Sequence, residues 1–142
     1  MRKLLLSVCL LLLAPFAQAA NIAGLWVGYY AYDPAVSTAR IECAVVFEQA
    51  GGEIGGSMIE RQTFGNELAP GMPAGASGTV RGNTVTFEKN YYLNNGSTVT
   101  YTLQLSPDGN TMTGFWRIGN ANGTAFFRRV TGDSVDRIPS PR

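Results

Sequence analysis

Polar and apolar side chains alternate with a period of two residues in one segment after another between Gly24 and Val130. The clearest example is the segment 98–105, where threonines and a glutamine alternate with apolar residues. Its apolar set is Val99, Tyr101, Leu103 and Leu105. Successive side chains of a strand point to opposite faces of a sheet, so this period is typical of half-buried strands. No window shows a helical period, and the pattern predicts an all-β domain.

Eight segments carry this strand pattern, and most are separated by short turns rich in Gly, Asn and Pro. They are residues 24–32, 39–49, 54–61, 76–81, 84–92, 98–105, 111–118 and 124–130. Short connections favour antiparallel pairing of consecutive strands. Closing such a meander removes both of its exposed edges. We therefore predict an eight-stranded antiparallel up-and-down β-barrel, with a two-sheet β-sandwich as the alternative.

The first nineteen residues have the organisation of a secretory signal peptide. Arg2 and Lys3 precede an apolar run over 4–13, and small residues stand at Ala17 and Ala19. Cleavage is predicted after Ala19. A membrane anchor is the alternative, but the run is shorter than the roughly 20 residues that a spanning helix needs. We expect a periplasmic or secreted protein with no transmembrane segment after signal removal, a barrel domain over 20–131 and a disordered tail over 132–142.

Charge and composition narrow the classes of function. Removal of Arg2 and Lys3 leaves nine basic residues against ten acidic ones, and no basic stripe points to nucleic acid. The sequence contains no His, and Cys43 is the one Cys after the signal. Zinc sites, His-based triads and an internal disulfide are therefore not expected. We predict neither a metal nor another cofactor. Cys43 alternates with apolar residues and is expected to be buried.

The first and last strands of the predicted barrel resemble those of a known superfamily. Gly24-Leu25-Trp26 is a Gly-x-Trp at the start of the first strand, and Arg128-Arg129 ends the last. This arrangement is similar to that of the lipocalin-like and avidin-like β-barrels, the calycins. The resemblance implies that Trp26 plugs one barrel end and that Arg129, or Arg128, packs across its ring in a cation–π contact.

The chain from Gly24 to Arg129 also resembles a set of uncharacterised exported bacterial proteins. The shared elements include Glu60-x-x-Thr63-Phe64-Gly65, Val85-x-Phe87-x-Lys89-x-Tyr91, Val99-x-Tyr101 and Gly114-x-Trp116-x-Ile118. This second resemblance implies a common fold and brings no activity with it.

Lys89 is the most informative single residue for function. It shares a strand face with Phe87 and Tyr91, which are expected to point inward, and a lysine on an apolar face needs an anion or a shifted pKa. We predict that Lys89, Glu60, Tyr91 and Tyr101 form a polar patch inside the barrel mouth that binds an anionic or hydroxylated ligand. The alternative, which the sequence favours because a lysine stem buries easily, is that Lys89 lies near a strand end and extends its ammonium group to water.

The segment 62–75 is predicted to be the longest loop and a lid or contact surface, which makes Phe64 a further candidate ligand-binding residue. Glu60 and Glu67 flank the Thr63-Phe64-Gly65 centre of this loop. They match a catalytic carboxylate pair only in their residue type. Nothing in their spacing sets their separation, so Glu67 is expected to be a solvated loop charge.

Three classes of function follow from these residues. The first is a barrel that binds a small apolar or amphipathic ligand against Tyr, Phe and Trp walls. The second is an envelope interaction or inhibitor-type protein that acts through its long loop and surface aromatics. Candidates for that surface are Tyr30, Tyr32, Tyr92 and Phe115. An enzyme is the least favoured class, because no convincing acid–base pair is visible. A small molecule and an envelope protein are thus the alternative partners.

Overall fold

The computed structural model describes residues 18–61, 71–92 and 97–132. It contains eight strands, which are β1 (Gly24–Tyr32), β2 (Arg40–Ala50), β3 (Glu53–Glu60), β4 (Met72–Arg81), β5 (Thr84–Tyr91), β6 (Thr98–Leu105), β7 (Thr111–Ile118) and β8 (Ala121–Arg129). Each strand pairs antiparallel with the next, and β1 pairs with β8. The predicted closed up-and-down barrel is confirmed, and the β-sandwich alternative does not apply.

Two strands begin earlier than the alternation predicts. β4 begins at Met72, so residues 72–75 belong to a strand and not to the long loop. β8 begins at Ala121, and β7 reaches it through a two-residue turn with Gly119 at φ +53°. Gly, Ala and Pro at these strand starts have low β-propensity. Hydrogen-bonded pairing with the neighbouring strands overrides that propensity, as when Met72 pairs with Glu60.

Several sequence-based predictions concern residues outside the described part of the chain. These are the signal sequence up to residue 17, Phe64 and Glu67 in the segment 62–70, and the tail from residue 133. Within the described residues, none of the secondary structure is a helix of the length and apolar character needed to cross a bilayer.

The inward side chains fill most of the barrel interior. Phe47 meets Phe87 edge to face at 5.3 Å, and Phe87 stacks on Tyr101 with ring centroids 4.6 Å apart. Tyr101 in turn contacts Phe127 at 6.3 Å. All four residues are buried, together with Val45, Val85, Leu103 and Met112. An eight-stranded barrel is just wide enough for such a side-chain core.

Glycines at inward positions make room for these large side chains. Gly56 pairs with Phe47 across β2 and β3, and Gly78 pairs with Phe87 across β4 and β5. A Cβ atom on Gly56 would lie 2.0 Å from the carbonyl oxygen of Val46. At both glycines the neighbouring strand is too close to leave room for a side chain. The phenylalanine paired with each glycine occupies the adjacent space in the barrel interior.

One end of the barrel is closed by Trp26 and Arg129. The Trp26 ring is fully buried, and its Nε1 donates to the carbonyl of Ile22 at 2.8 Å. The Arg129 guanidinium carbon lies 4.4 Å from the Trp26 ring centroid. The same guanidinium donates to the carbonyls of Asn21, Ala23 and Gly109. The N-terminal segment is thereby held across this end, and a ligand site must lie at the other.

We expect Gly56→Ala to lower the free energy of unfolding by about 1–3 kcal/mol, because the new methyl group collides with the β2 backbone. Gly55→Ala is the matched control, since no atom lies within 4 Å of a Cβ at that outward position. Its effect is expected to stay within about 0.5 kcal/mol. Urea denaturation of both variants measures the difference, and equal stabilities would contradict the close strand approach.

Candidate functional site at the open end of the barrel

The end opposite Trp26 gathers the inward polar residues of four strands. β1, β3, β5 and β7 finish there, so their last inward side chains converge around the mouth. Glu60 is the final residue of β3, and Lys89 and Tyr91 occupy alternate positions at the end of β5. Tyr101 reaches the same region from β6. The structure therefore brings together four of the five ligand-binding candidates, and Phe64, the fifth, lies outside the described residues.

Lys89 and Glu60 form a buried ion pair. Lys89 Nζ lies 2.7 Å from Glu60 Oε2, and both side chains are 1% exposed. Lys89 Nζ also donates to Tyr91 Oη at 2.7 Å, and Tyr91 Oη donates to Glu60 Oε1 at 2.5 Å. The Tyr30 hydroxyl approaches the same carboxylate oxygen at 3.4 Å. The ammonium does not extend to water, so the snorkelling alternative does not describe this side chain.

Aromatic rings surround the buried ammonium group. Lys89 Nζ lies 4.4 Å from the centroid of the Tyr91 ring, 5.0 Å from that of Tyr30 and 5.8 Å from that of Tyr101. The π faces attract the cation, and the rings exclude water from it. Burial lowers the pKa of Lys89, while the Glu60 carboxylate acts in the opposite direction. The ion pair thus compensates a desolvation cost, which leaves Lys89 sensitive to any change in Glu60.

The phenols of the site are held in their protonated form. Burial and the hydrogen bond to Glu60 raise the pKa of Tyr91 above its usual value. Burial also raises the pKa of Tyr101. The Tyr101 hydroxyl is fully buried, and among the described residues it has no hydrogen-bond partner. A buried hydroxyl without a partner carries a desolvation cost that a bound acceptor would relieve.

A pocket of about 170 Å³ opens above this network. Its walls are largely aromatic, and its floor includes Lys89 and Tyr101. The lining residues are Tyr30, Tyr32, Lys89, Tyr91, Ser97, Val99, Tyr101, Trp116 and Ile118. Trp116 is fixed by edge contacts to Tyr32 at 4.9 Å and Tyr30 at 5.5 Å, and its Nε1 donates to the Ala31 carbonyl. The walls are therefore rigid before any ligand arrives.

Tyr30 and Tyr32 were expected on the outer surface, and that expectation is wrong. Tyr30 is 4% exposed, and both residues line the pocket. Counting in steps of two from the buried Trp26 places them on its inward face, so the signal was present in the sequence. Trp116 was not identified as a site residue, although it alternates with Met112. Phe115 and Tyr92 do lie outside, at 69% and 63% exposure.

Other parts of the described chain offer less to a small ligand. Three larger concavities, of about 680, 630 and 490 Å³, are open to solvent and have the outward Tyr29 in their lining. Within the described residues, no group of three or more His, Cys, Asp or Glu side chains is placed to hold a metal ion. Cys43 is buried, and burial with the nearby Glu60 raises its pKa to about 12. A thiol in that state is a poor nucleophile.

We expect Lys89→Met to lower the free energy of unfolding by about 3–5 kcal/mol, because it leaves the Glu60 carboxylate buried without its cation. Combining it with Glu60→Gln should restore much of that loss, since both charges are then gone. Arg61→Met is the control, because the Arg61–Glu42 pair is exposed at 3.5 Å and should be worth under about 1 kcal/mol. Urea denaturation compares the four proteins, and a Lys89→Met chain as stable as the parent would exclude a buried carboxylate.

We expect stability to fall with rising pH from pH 9.0 towards about 12, because the Cys43 thiol ionises in the unfolded chain but stays protonated when folded. This one group contributes a slope approaching about 1.4 kcal/mol per pH unit. Cys43→Ala should reduce the slope between pH 9 and 10 relative to the parent chain, while the contribution of Tyr91 and Tyr101, which grows as the pH approaches 10, remains in both proteins. Urea midpoints across that range test this, and an unchanged slope would mean that the thiol is solvated.

Comparison with known proteins adds little to this geometry. No protein-family model matches the sequence. No curated protein matches it either. Among solved structures, the chain is similar to the crystal structure of a mutant of the fluorescent protein UnaG, at 10% identity and a TM-score of 0.41. That match covers 78% of this chain and 96% of the other. At this level the likeness carries no functional argument, and the assignment of the fold rests on the strand pairing of the chain itself.

Proposed function

We propose that this chain is an exported barrel protein that binds one small amphipathic molecule in the pocket at its open end. The observation that carries the proposal is that Tyr101 lines an aromatic-walled pocket while its buried hydroxyl has no hydrogen-bond partner among the described residues. A pocket of apolar walls with a few convergent polar groups is the usual form of a small-molecule site. The predicted signal peptide supports the export part of the proposal.

The charge balance of the site favours a neutral ligand over an anionic one. The Lys89 ammonium already has the Glu60 carboxylate at 2.7 Å, so an entering anion would have to compete with a buried internal partner. The Tyr101 hydroxyl needs an acceptor and brings no charge. A ligand with a carbonyl, ether or hydroxyl oxygen at one end satisfies that need.

The size and walls of the pocket define the rest of the ligand. About 170 Å³ is below the roughly 300–1,000 Å³ of sites for drug-sized molecules, so the ligand is compact. Tyr32 and Trp116 present ring surfaces for stacking. A single aromatic or unsaturated ring with one polar end fits both requirements. The proposed role is binding and not turnover.

A second candidate function is an interaction or inhibitor-type role, favoured by the outer surface. Phe115 is 69% exposed, and it lies beside Phe126, which stacks on Tyr29 at 5.7 Å. Large exposed aromatics of this kind often contact a partner protein. The two functions use opposite faces of the barrel wall and are therefore separable by mutation.

We expect benzyl alcohol to shift the indole N–H signal of Trp116 saturably in a proton–nitrogen NMR titration, with no change at Trp26. The two indoles lie at opposite ends of the barrel, and each N–H is fixed by a backbone carbonyl. Tyr101→Phe should weaken binding by about 2- to 10-fold, as expected for loss of a hydrogen bond worth 0.5–1.5 kcal/mol.

Tyr92→Phe is the control for this titration, because it removes a phenol that is 63% exposed and does not line the pocket. Its affinity should match that of the parent chain. Shifts confined to signals of the outer wall, around Phe115 and Phe126, would support the interaction role instead. Equal shifts at both indoles, or none at Trp116, would exclude the open-end site for this probe.

A further inference from the structure

The chemical identity of the buried cation is unusual for this sequence. The chain has two lysines, Lys3 and Lys89, and every other basic residue is an arginine. Lys3 falls within the predicted signal peptide. If that peptide is removed, Lys89 is the single lysine of the protein, and it lies inside the barrel and not on the surface.

A structural ion pair does not by itself require a lysine. Arginine is the residue usually preferred for buried pairs, because its planar guanidinium matches a carboxylate with two parallel hydrogen bonds. A lysine amine has one property that arginine lacks, since it can lose its proton and become a nucleophile. Lys89 is thus the position after the predicted signal peptide at which the chain carries a lysine and not an arginine, and it is also a position that lines the pocket.

We propose that Lys89 captures a small aldehyde or ketone in the open-end pocket as a Schiff base, with Glu60 as its proton acceptor and counter-ion. This inference rests on the proposed ligand-binding function and names the chemical class of the ligand. It follows from the position of Lys89 in the pocket lining and from the contact of its Nζ with the Glu60 carboxylate at 2.7 Å.

Schiff-base formation requires a neutral amine, a proton acceptor and a polarised carbonyl group, and the surroundings of the Lys89 amine favour all three. Burial lowers the pKa of Lys89, which makes the neutral amine more accessible than on a solvated lysine. Glu60 is in direct contact and accepts the proton that must leave. The Tyr101 hydroxyl is a donor without a partner and can polarise the ligand carbonyl.

The reaction balances with these groups alone. Lys89 transfers one ammonium proton to Glu60, which gives a neutral amine and a carboxylic acid. The amine nitrogen attacks the carbonyl carbon, and a proton moves from nitrogen to the former carbonyl oxygen to give a carbinolamine. Glu60 then returns its proton to that hydroxyl, which leaves as water while the nitrogen lone pair forms the carbon–nitrogen double bond. The products are a protonated imine on Lys89, the Glu60 carboxylate and one water.

The finished adduct restores the electrostatics of the free protein. The imine nitrogen carries one positive charge, as the ammonium did, and it remains beside Glu60 and within reach of the Tyr30 and Tyr91 rings. The site therefore needs no new counter-ion after capture. Buried surroundings also protect an imine from hydrolysis by limiting the access of water.

The test is reductive trapping of the purified full chain with benzaldehyde and cyanoborohydride, read by intact mass and peptide mapping. We expect one benzyl group per chain, located on Lys89, and faster labelling of Lys89 in the folded protein than in the same protein unfolded in urea. Lys89→Arg is the matched control, since it keeps the buried positive charge and removes the nucleophile. It should lose the label at position 89.

The outcomes separate this inference from the function on which it rests. A benzyl alcohol shift at Trp116 without label on Lys89 would overturn Schiff-base capture and leave the binding function standing. Labelling confined to the N-terminal amine, or equally fast in urea, would also overturn it, because ordinary amine reactivity would then explain the label. If neither probe engages the pocket, both proposals fail. Slower trapping in Tyr101→Phe would support the role of its hydroxyl in activating the carbonyl.

Discussion

The narrow interior of an eight-stranded barrel is the constraint on which the rest of this structure depends. Phe47 and Phe87 are each paired on one side with a glycine, which leaves room for their rings. The four rings of Phe47, Phe87, Tyr101 and Phe127 then pack in sequence through the barrel interior. The pocket beside Lys89 and Tyr101 lies at the end of this column, where the strands end.

The packed column also determines the chemistry at the mouth. Tyr101 stacks face to face on Phe87, and this contact holds its ring in the lining of the pocket. Lys89 follows Phe87 on the same face of β5, and the column blocks its ammonium from moving deeper. Glu60 and Tyr91 then meet it from the rim. Because the side chains of such a preorganised site are already ordered, ligand binding costs little free energy of ordering.

At each end of the barrel a cation lies against aromatic rings, but the two contacts have different consequences. At the closed end Arg129 covers Trp26 and donates its protons to backbone carbonyls, so the cation is satisfied and the end is sealed. At the open end Lys89 lies among tyrosine rings, but its partner is a carboxylate, and the hydroxyl of its neighbour Tyr101 has no partner within the described parts of the chain. An arginine suits a permanent seal, and a lysine beside a pocket is able to react.

The sequence by itself determined the architecture, because alternation with a period of two is a local property that every strand displays. It placed six strands close to their observed bounds and missed the starts of β4 and β8, where Met72 and Ala121 are strand residues through pairing and not through propensity. It also indicated Lys89 and Glu60 as partners, since a lysine on an apolar face requires an anion. The same period, counted from Trp26, also places Tyr30 and Tyr32 inward, although they were predicted to lie outside. The size of the pocket, the contribution of Trp116 and the lack of a partner for the Tyr101 hydroxyl among the described residues were decided only by the tertiary structure. These features depend on distances between strands far apart in the chain, which no local pattern encodes.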